Sequence, residues 1–422
     1  MPGAHGDLQV PPNLPLPSLF ADTLDPERVV QGLEDLQRGQ EFVLLLIAIG
    51  EPALDALARF LLGPPSPHPQ PRMLAGEALG AIGGAKASRV LAEVLDRASP
   101  GPHSPVLALS EEAVRNCAAR QLGHLGDPAS VEPLLDALRR LHLIGAGEAL
   151  VRFRETRAIP LLVECLSDAF SRERVAAALL EFGHEAVGAL VAALRTIELN
   201  GGVEPSRSVE RRAACARLLG EIKDPRGEPA LGERLEDPAL EVRRSAAIAL
   251  ALVAPEALIP ERVRVLIGGL GDSALSDECA EALLATPEDA LPRLAAAVSA
   301  EAAAASSHGT RGALRRLRSM VRVIARMGEP GTRALAQLAH HDSALVRGLA
   351  VAHLGRTGAP IARSIVAAAL RDPDARVRRT AAAGARRMGV DVRPSAVAGS
   401  GHRGWRAWRM RLARCLEGRG DG

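Results

Sequence analysis

The chain has 422 residues, 47% of them hydrophobic and 24% charged, with a formal net charge of +2; that balance describes a folded, soluble protein and excludes a disordered one. Its length exceeds a single small core at ~100–200 residues per domain. Six Phe, two Trp and no Tyr largely exclude aromatic sugar platforms and base-stacking nucleic-acid modules, and the abundant Ala, Leu and Val suit closely packed helices rather than a β-sandwich.

In chain order, residues 1–20 are Pro-rich and read as a mobile arm, with neither the basic nor the apolar region of a signal peptide. The longest apolar run, residues 42–49, falls far short of the ~20 residues that span a bilayer, so a cytoplasmic location is expected. Prolines at 64–71 and 100–105 predict loops between repeats, or alternatively a Pro-rich ligand for a partner domain. Gly83-Gly84 reads as a helix stop, residues 200–206 as a loop and residues 302–309 as a small-residue hinge. Cysteines at 117, 165, 215, 279 and 415 form no CxxC pair; the first four sit in apolar helical stretches and are expected as reduced, buried thiols.

Self-similarity is the strongest signal. Asp237-Pro238 leads to Val242-Arg243, Asp342 leads to Val346-Arg347, and Asp372-Pro373 leads to Val377-Arg378. Further copies run from Val114-Arg115 to Gly123 and from Arg211-Arg212 to Gly220, with Arg211 in the place of Val242, Val346 and Val377. Each copy predicts a first helix N-capped by its Asp, with Pro at the first position. The helix should end at Gly123, Gly220 or Gly355 in a left-handed C-cap. A second start follows at Glu51-Pro52, Asp127-Pro128, Asp224-Pro225 or Glu329-Pro330, opening a second amphipathic helix. Residues 277–300 lose the Val-Arg pair, and residues 141–196 carry Arg152, Arg154, Arg172 and Arg174 instead. Ala246, Ala350 and Ala381 should face inward. One pair cannot bury its own apolar face but stacked pairs can, which predicts an all-α fold, an α-solenoid (superhelix) of about ten or eleven stacked antiparallel helix pairs.

The series Asp-Pro, Val-Arg, Ala-Ala, Leu-Gly, Gly-Asp-Pro, clearest over residues 114–138 and 342–370, resembles the HEAT-like repeats of the phycobilin-lyase type, widespread in bacteria. The resemblance covers residues 40–390 and implies the solenoid fold. Deoxyhypusine hydroxylase, built from similar repeats, holds iron through several His-Glu pairs, and here only His184-Glu185 is such a pair. The related alkylpurine glycosylases use aromatic residues in a cleft, whereas the only tryptophans here lie near residue 400 and beyond. No HExxH and no P-loop motif occurs, and His340, His341 and His353 read as surface histidines. No catalytic residue, metal site or cofactor is expected.

Charge divides the chain. Residues 1–308 carry a net −14 and residues 309–422 a net +16, from 23 Arg against seven acids. This predicts a Pro-rich arm (1–20), acidic repeats (21–308), basic repeats (309–390) and a linker with a basic amphipathic helix (391–422). In that last helix Trp405, Trp408, Leu412 and Leu416 share one face, fit either to cap the stack or to lie on a membrane or in a partner's groove. The expected function is a non-enzymatic scaffold or adaptor that binds a protein partner along the concave surface, with an acidic protein or another copy of itself as the candidates. Candidate binding residues are Arg347, Arg378, Arg379, Arg386, Arg387, Trp405 and Trp408. The alternatives are a binder of nucleic acid or anionic membrane through the Arg-rich third, and a lyase or chaperone for a cofactor-bearing protein. For the recurring Arg243, Arg347 and Arg378 a second reading is structural: each pairs with an Asp of its own or the next repeat.

Overall fold

The computed structural model describes residues 25–389, apart from 36, 98–103, 258, 273, 309–310 and 358, and no side chains at 304–311. The arm at 1–20, Cys415, Trp405, Trp408 and the helix expected over 391–422 lie outside the described residues. Those described form 22 α-helices and no strand beyond one isolated bridge, Asn200 with Val203. The chain divides into two compact units, Met1–Ala193 and Leu194–Gly422. The change of charge at 308 therefore falls inside the second unit.

Each unit is a two-layered stack. In the first, helices Gly39–Ile49, Gln70–Ile82, Pro105–Leu125, Ile144–Arg152 and Arg172–Phe182 pack in sequence as one layer. Their partners Leu54–Leu61, Gly84–Asp96, Val131–Leu141 and Ala158–Cys165 form the other. The second unit repeats this, with Ser206–Ile222, Leu240–Val253, Ser276–Leu284, Arg311–Arg326, Ala344–Leu354 and Ala375–Arg387 as its first layer. Ten helix pairs result, flanked by Pro26–Gln31 and Ala375–Arg387. This is the all-α solenoid expected. Val114, Val242, Val346 and Val377 are buried, as are Ala246, Ala350 and Ala381.

The helix ends differ from expectation. Gly123 and Gly220 lie within helices, which end at Gly126 and Lys223 in the left-handed conformation (φ 67° and 56°); Gly355 ends its helix right-handed. These glycines are needed for contact instead. A Cβ on Gly123 would stand 2.8 Å from Ala149 Cα, one on Gly220 2.8 Å from Ala249 Cα, and one on Gly355 2.7 Å from Gly384 Cα. Backbones of successive first-layer helices thus touch where the side chain is missing. Gly123→Ala should therefore destabilise by ~1–3 kcal/mol through overpacking, against a helix-propensity gain of ~1 kcal/mol. Gly348→Ala, at a mid-helix site whose nearest neighbour is 3.9 Å away, should keep that gain; urea titration of the two variants must give shifts of opposite sign.

The repeated Asp is likewise not the N-cap. Ala239 and Ser343 occupy the caps of helices Leu240–Val253 and Ala344–Leu354, and Asp374 caps Ala375–Arg387. Asp237 and Asp372 are buried two residues ahead of the caps, where each accepts the backbone N–H of the cap residue, at 2.9 and 2.8 Å. Asp127 and Asp224 do cap the short 3-10 turns that open second helices, with Pro in the first turn. The hinge expected at 302–309 is also revised: residues up to His308 continue helix Pro287–His308, because the Ala run is the strongest helix-former available.

Cys117, Cys165, Cys215 and Cys279 are free and buried. Burial pushes the Cys117, Cys215 and Cys279 thiols up to about 12 and Cys165 to about 11 from an ordinary 9.0. Since the thiolate is the nucleophile, alkylation of these four at pH 8 should wait for denaturant. Their folded values are raised, so their contribution to stability is intact below pH 9 and falls as pH rises from there towards 12. Mass spectrometry of the native protein showing any of the four alkylated would contradict this.

Candidate functional site

Arg243, Arg347 and Arg378, each following a buried valine, share one geometry, whereas Arg115 after Val114 donates to the carbonyl of Arg97 at 2.7 Å. Arg243 donates to the carbonyls of Asp237 and Pro238 at 2.6 and 3.1 Å. Arg347 donates to those of His341 and Asp342 at 3.0 and 2.7 Å, and Arg378 to those of Asp372 and Pro373, both at 2.8 Å. Each guanidinium satisfies carbonyls of the turn ahead of its helix, which the helix itself leaves without donors. Arg172 makes the same grip on Leu166 and Ser167, at 2.9 and 3.5 Å, so the repeat at 141–196 keeps this arginine although its valine is gone.

A second set of bonds runs to the next repeat. Arg347 meets Asp372 through Nε at 2.8 Å and Nη2 at 2.9 Å. Arg212 bonds Asp237 of the next repeat as well as both oxygens of Glu204 ahead of its own helix, and Arg244 bonds Asp272. Arg72 bonds Glu111 with both residues buried. The structural reading of the ladder therefore holds for Arg347: at 6% exposure it ties two repeats together and presents little surface to a partner.

Arg378, Arg379, Arg386 and Arg387 are exposed on helix Ala375–Arg387. At ~100° per residue they span an arc of about 180°, opposite the buried Val377, Ala381, Gly384 and Ala385. Among the described residues Arg379, Arg386 and Arg387 have no carboxylate partner. Earlier arginines of this unit do, such as Arg195 with Glu233, Arg316 with Glu301 and Arg326 with Glu281. The helix itself is anchored by Asp374, which accepts from the N–H groups of Arg376 and Val377 at 2.7 and 3.4 Å; those bonds hold its carboxyl below the usual range. The result is a rigid cationic face.

The first unit has a contrasting surface. Two adjoining cavities of about 540 and 310 Å³ share Arg120 and Arg174. Arg174 is held by Glu148 at 2.7 Å, and Glu112, Glu148 and Glu181 also line the groove, so its charge is mixed. Among the described residues no three His, Cys, Asp or Glu side chains converge as metal ligands. His340, His341 and His353 are half-buried rather than at the surface. No single described helix is long and apolar enough to cross a membrane.

A family model for HEAT repeats matches residues 105–183, and one for the PBS lyase HEAT-like repeat matches residues 211–237. A comparison with curated proteins finds no match. Among solved structures, human deoxyhypusine hydroxylase in complex with glycerol is 21% identical over 65% of this chain and 100% of its own, at a TM-score of 0.26. Kap121p bound to Nup53p is 11% identical over 93% of this chain and 52% of its own, at 0.44. The karyopherin Kap121p bound to the extreme C-terminus of the protein phosphatase Cdc14p gives 10%, 93%, 51% and 0.44. The chain thus spans about half the length of the Kap121p structures.

Proposed function

We propose that this chain, a HEAT-like repeat protein, is a non-enzymatic cytoplasmic scaffold that docks an acidic protein partner on the arginine face of helix Ala375–Arg387. The observation that carries the reading is the cluster Arg379, Arg386 and Arg387, exposed on one helix face and without carboxylates among the described residues. A net +16 over residues 309–422 exceeds what solubility asks of a small domain. Arginine presents a planar fork suited to carboxylates. Arg378 joins the docking set through the part of its guanidinium not engaged with the turn, whereas Arg347 serves the stack. Trp405 and Trp408 are proposed as a second, apolar contact for the same partner.

The test is affinity capture from the native host with full-length protein, nuclease-treated, before and after Arg378, Arg379, Arg386 and Arg387 are all changed to Glu. The unmodified protein should retain a partner that high salt releases, since exposed charges are screened over ~8–10 Å at physiological ionic strength, and the reversed protein should retain none. Undiminished binding by the reversed, folded protein would refute the reading. Loss of the bound material on nuclease treatment would instead identify a nucleic-acid binder.

A further inference from the structure

A cleft of about 530 Å³ opens beside this face, lined by Gly355, Arg356, Thr357, Arg363, Arg387 and Met388. We propose that it is a carboxylate-binding site that takes adjacent Asp or Glu side chains from an acidic segment of a protein partner. The class of partner rests on the scaffold reading above; the site chemistry does not.

Three arginines line one space, and among the described residues no acidic residue lines it. All three arginines are exposed, and among the described residues none has a carboxylate partner. Elsewhere the stack supplies a countercharge, as Asp372 does for Arg347. Helix dipoles account for part of the arrangement. Arg356 and Arg387 stand at the C-terminal ends of helices Ala344–Leu354 and Ala375–Arg387, where a cation is favourable. Arg363 does not fit that explanation. It lies near the start of helix Pro360–Ala369, whose first turn has no acidic residue and no side-chain cap. There the helix is itself positive, so the third guanidinium and the helix end both call for an anion. The positive field is felt at half-buried His353, held below its ordinary value by burial and then by Arg356 and Arg322.

The cleft is also preorganised. Gly355, which lines it, packs against Gly384 so closely that a Cβ on either would meet the other's backbone at 2.7 or 3.1 Å, which fixes the helices that carry Arg356 and Arg387 against each other. A single carboxylate is satisfied by one bidentate guanidinium, so three around a space of this size suit two or more neighbouring carboxylates.

The probe is a rhodamine-labelled hexaglutamate peptide, titrated by fluorescence anisotropy against the full chain at low salt. Two matched variants each remove two charges: Arg356→Gln with Arg363→Gln in the cleft, and Arg378→Gln with Arg379→Gln on the face. If the cleft grips carboxylates, the first pair weakens binding by about tenfold or more and the second by clearly less. Equal losses in both pairs mean attraction to net charge alone and overturn the proposal, as does failure of the peptide to bind. Displacement of the peptide by millimolar inorganic phosphate, beyond that by chloride at equal ionic strength, overturns it in favour of a single-oxyanion site. Arg363→Lys keeps the charge without the fork and should give an intermediate loss, which serves as the check if the double variant misfolds. Because Arg387 lines the cleft, partner capture is scored separately with Arg378, Arg379 and Arg386 alone changed to Glu, so the cleft can fail while the scaffold reading stands, and the reverse.

Discussion

Arg212→Ala is expected to be among the most damaging single changes in the chain, at ~3–5 kcal/mol. Arg212 is fully buried. It donates to Glu204 through Nε at 3.0 Å and through Nη2 to both carboxylate oxygens at 2.7 Å, while Nη1 bonds Asp237. Truncation leaves the buried Asp237 carboxylate with the Ala239 N–H and, as countercharge, Arg234 at 3.5 Å, and leaves Glu204 without its countercharge. The cost arises from isolated charge more than from lost attraction, so exchanging all three groups together, as Arg212→Met, Glu204→Gln and Asp237→Asn, should recover much of it. Arg264→Ala supplies the comparison, since Arg264 and its partner Glu236 are both exposed and the change should cost under ~1 kcal/mol. Urea unfolding of the two variants decides the matter: similar midpoints would show that the buried rung adds nothing.

Ala350→Glu should be as severe. Ala350 is fully buried in helix Ala344–Leu354, which packs against helices Arg311–Arg326, Gly328–Leu338, Pro360–Ala369 and Ala375–Arg387. The longer side chain overpacks the site at ~1–3 kcal/mol, and its carboxylate is buried with no partner provided, at a further several kcal/mol. Domains are stable by only ~5–15 kcal/mol, so the repeats around it should melt at markedly lower temperature. Ala350→Leu separates the two causes, because it carries the volume without the charge. An unchanged melting temperature for the Glu variant would mean that the inward face of this helix has been misassigned.

Much of the architecture is legible in the sequence because it follows from local rules. The spacing of Val242, Val346 and Val377 places them in the core, and the small Ala residues beside them mark the inner faces. What misleads is a residue whose local preference and tertiary use diverge. Gly123 and Gly220 carry the local signal of a helix stop, yet the fold needs their missing side chains for contact between helices. Asp237 and Asp372 look like caps, yet each is also the acceptor for an arginine 25 residues earlier.

That separation is a signal that sets Arg347 apart from Arg378, although Arg115, with Arg140 at the same distance, is buried all the same. Arg347 finds Asp372 at this distance, whereas the residue 25 places after Arg378 is Arg403. The first is drawn into the stack and the second is exposed. Arg356 and Arg363 carry no such mark. One follows a helix end and the other sits on a second-layer helix, so only folding brings them to the same cleft as Arg387.

The ladder has a consequence for how such a chain can grow. The repeat at 237–253 holds an acceptor, Asp237, for Arg212 of the helix before it and a donor, Arg244, for Asp272 of the repeat after it, both in the same sense. A duplicated repeat inserted in register would therefore find both of its bonding groups already answered, with no second change needed. Lengthening by copying is then nearly neutral, and divergence becomes consequential when it strikes one half of a rung. Substituting the acidic residue releases an arginine from the interior to the surface, so a new cationic contact can arise from a loss rather than from the addition of a charge.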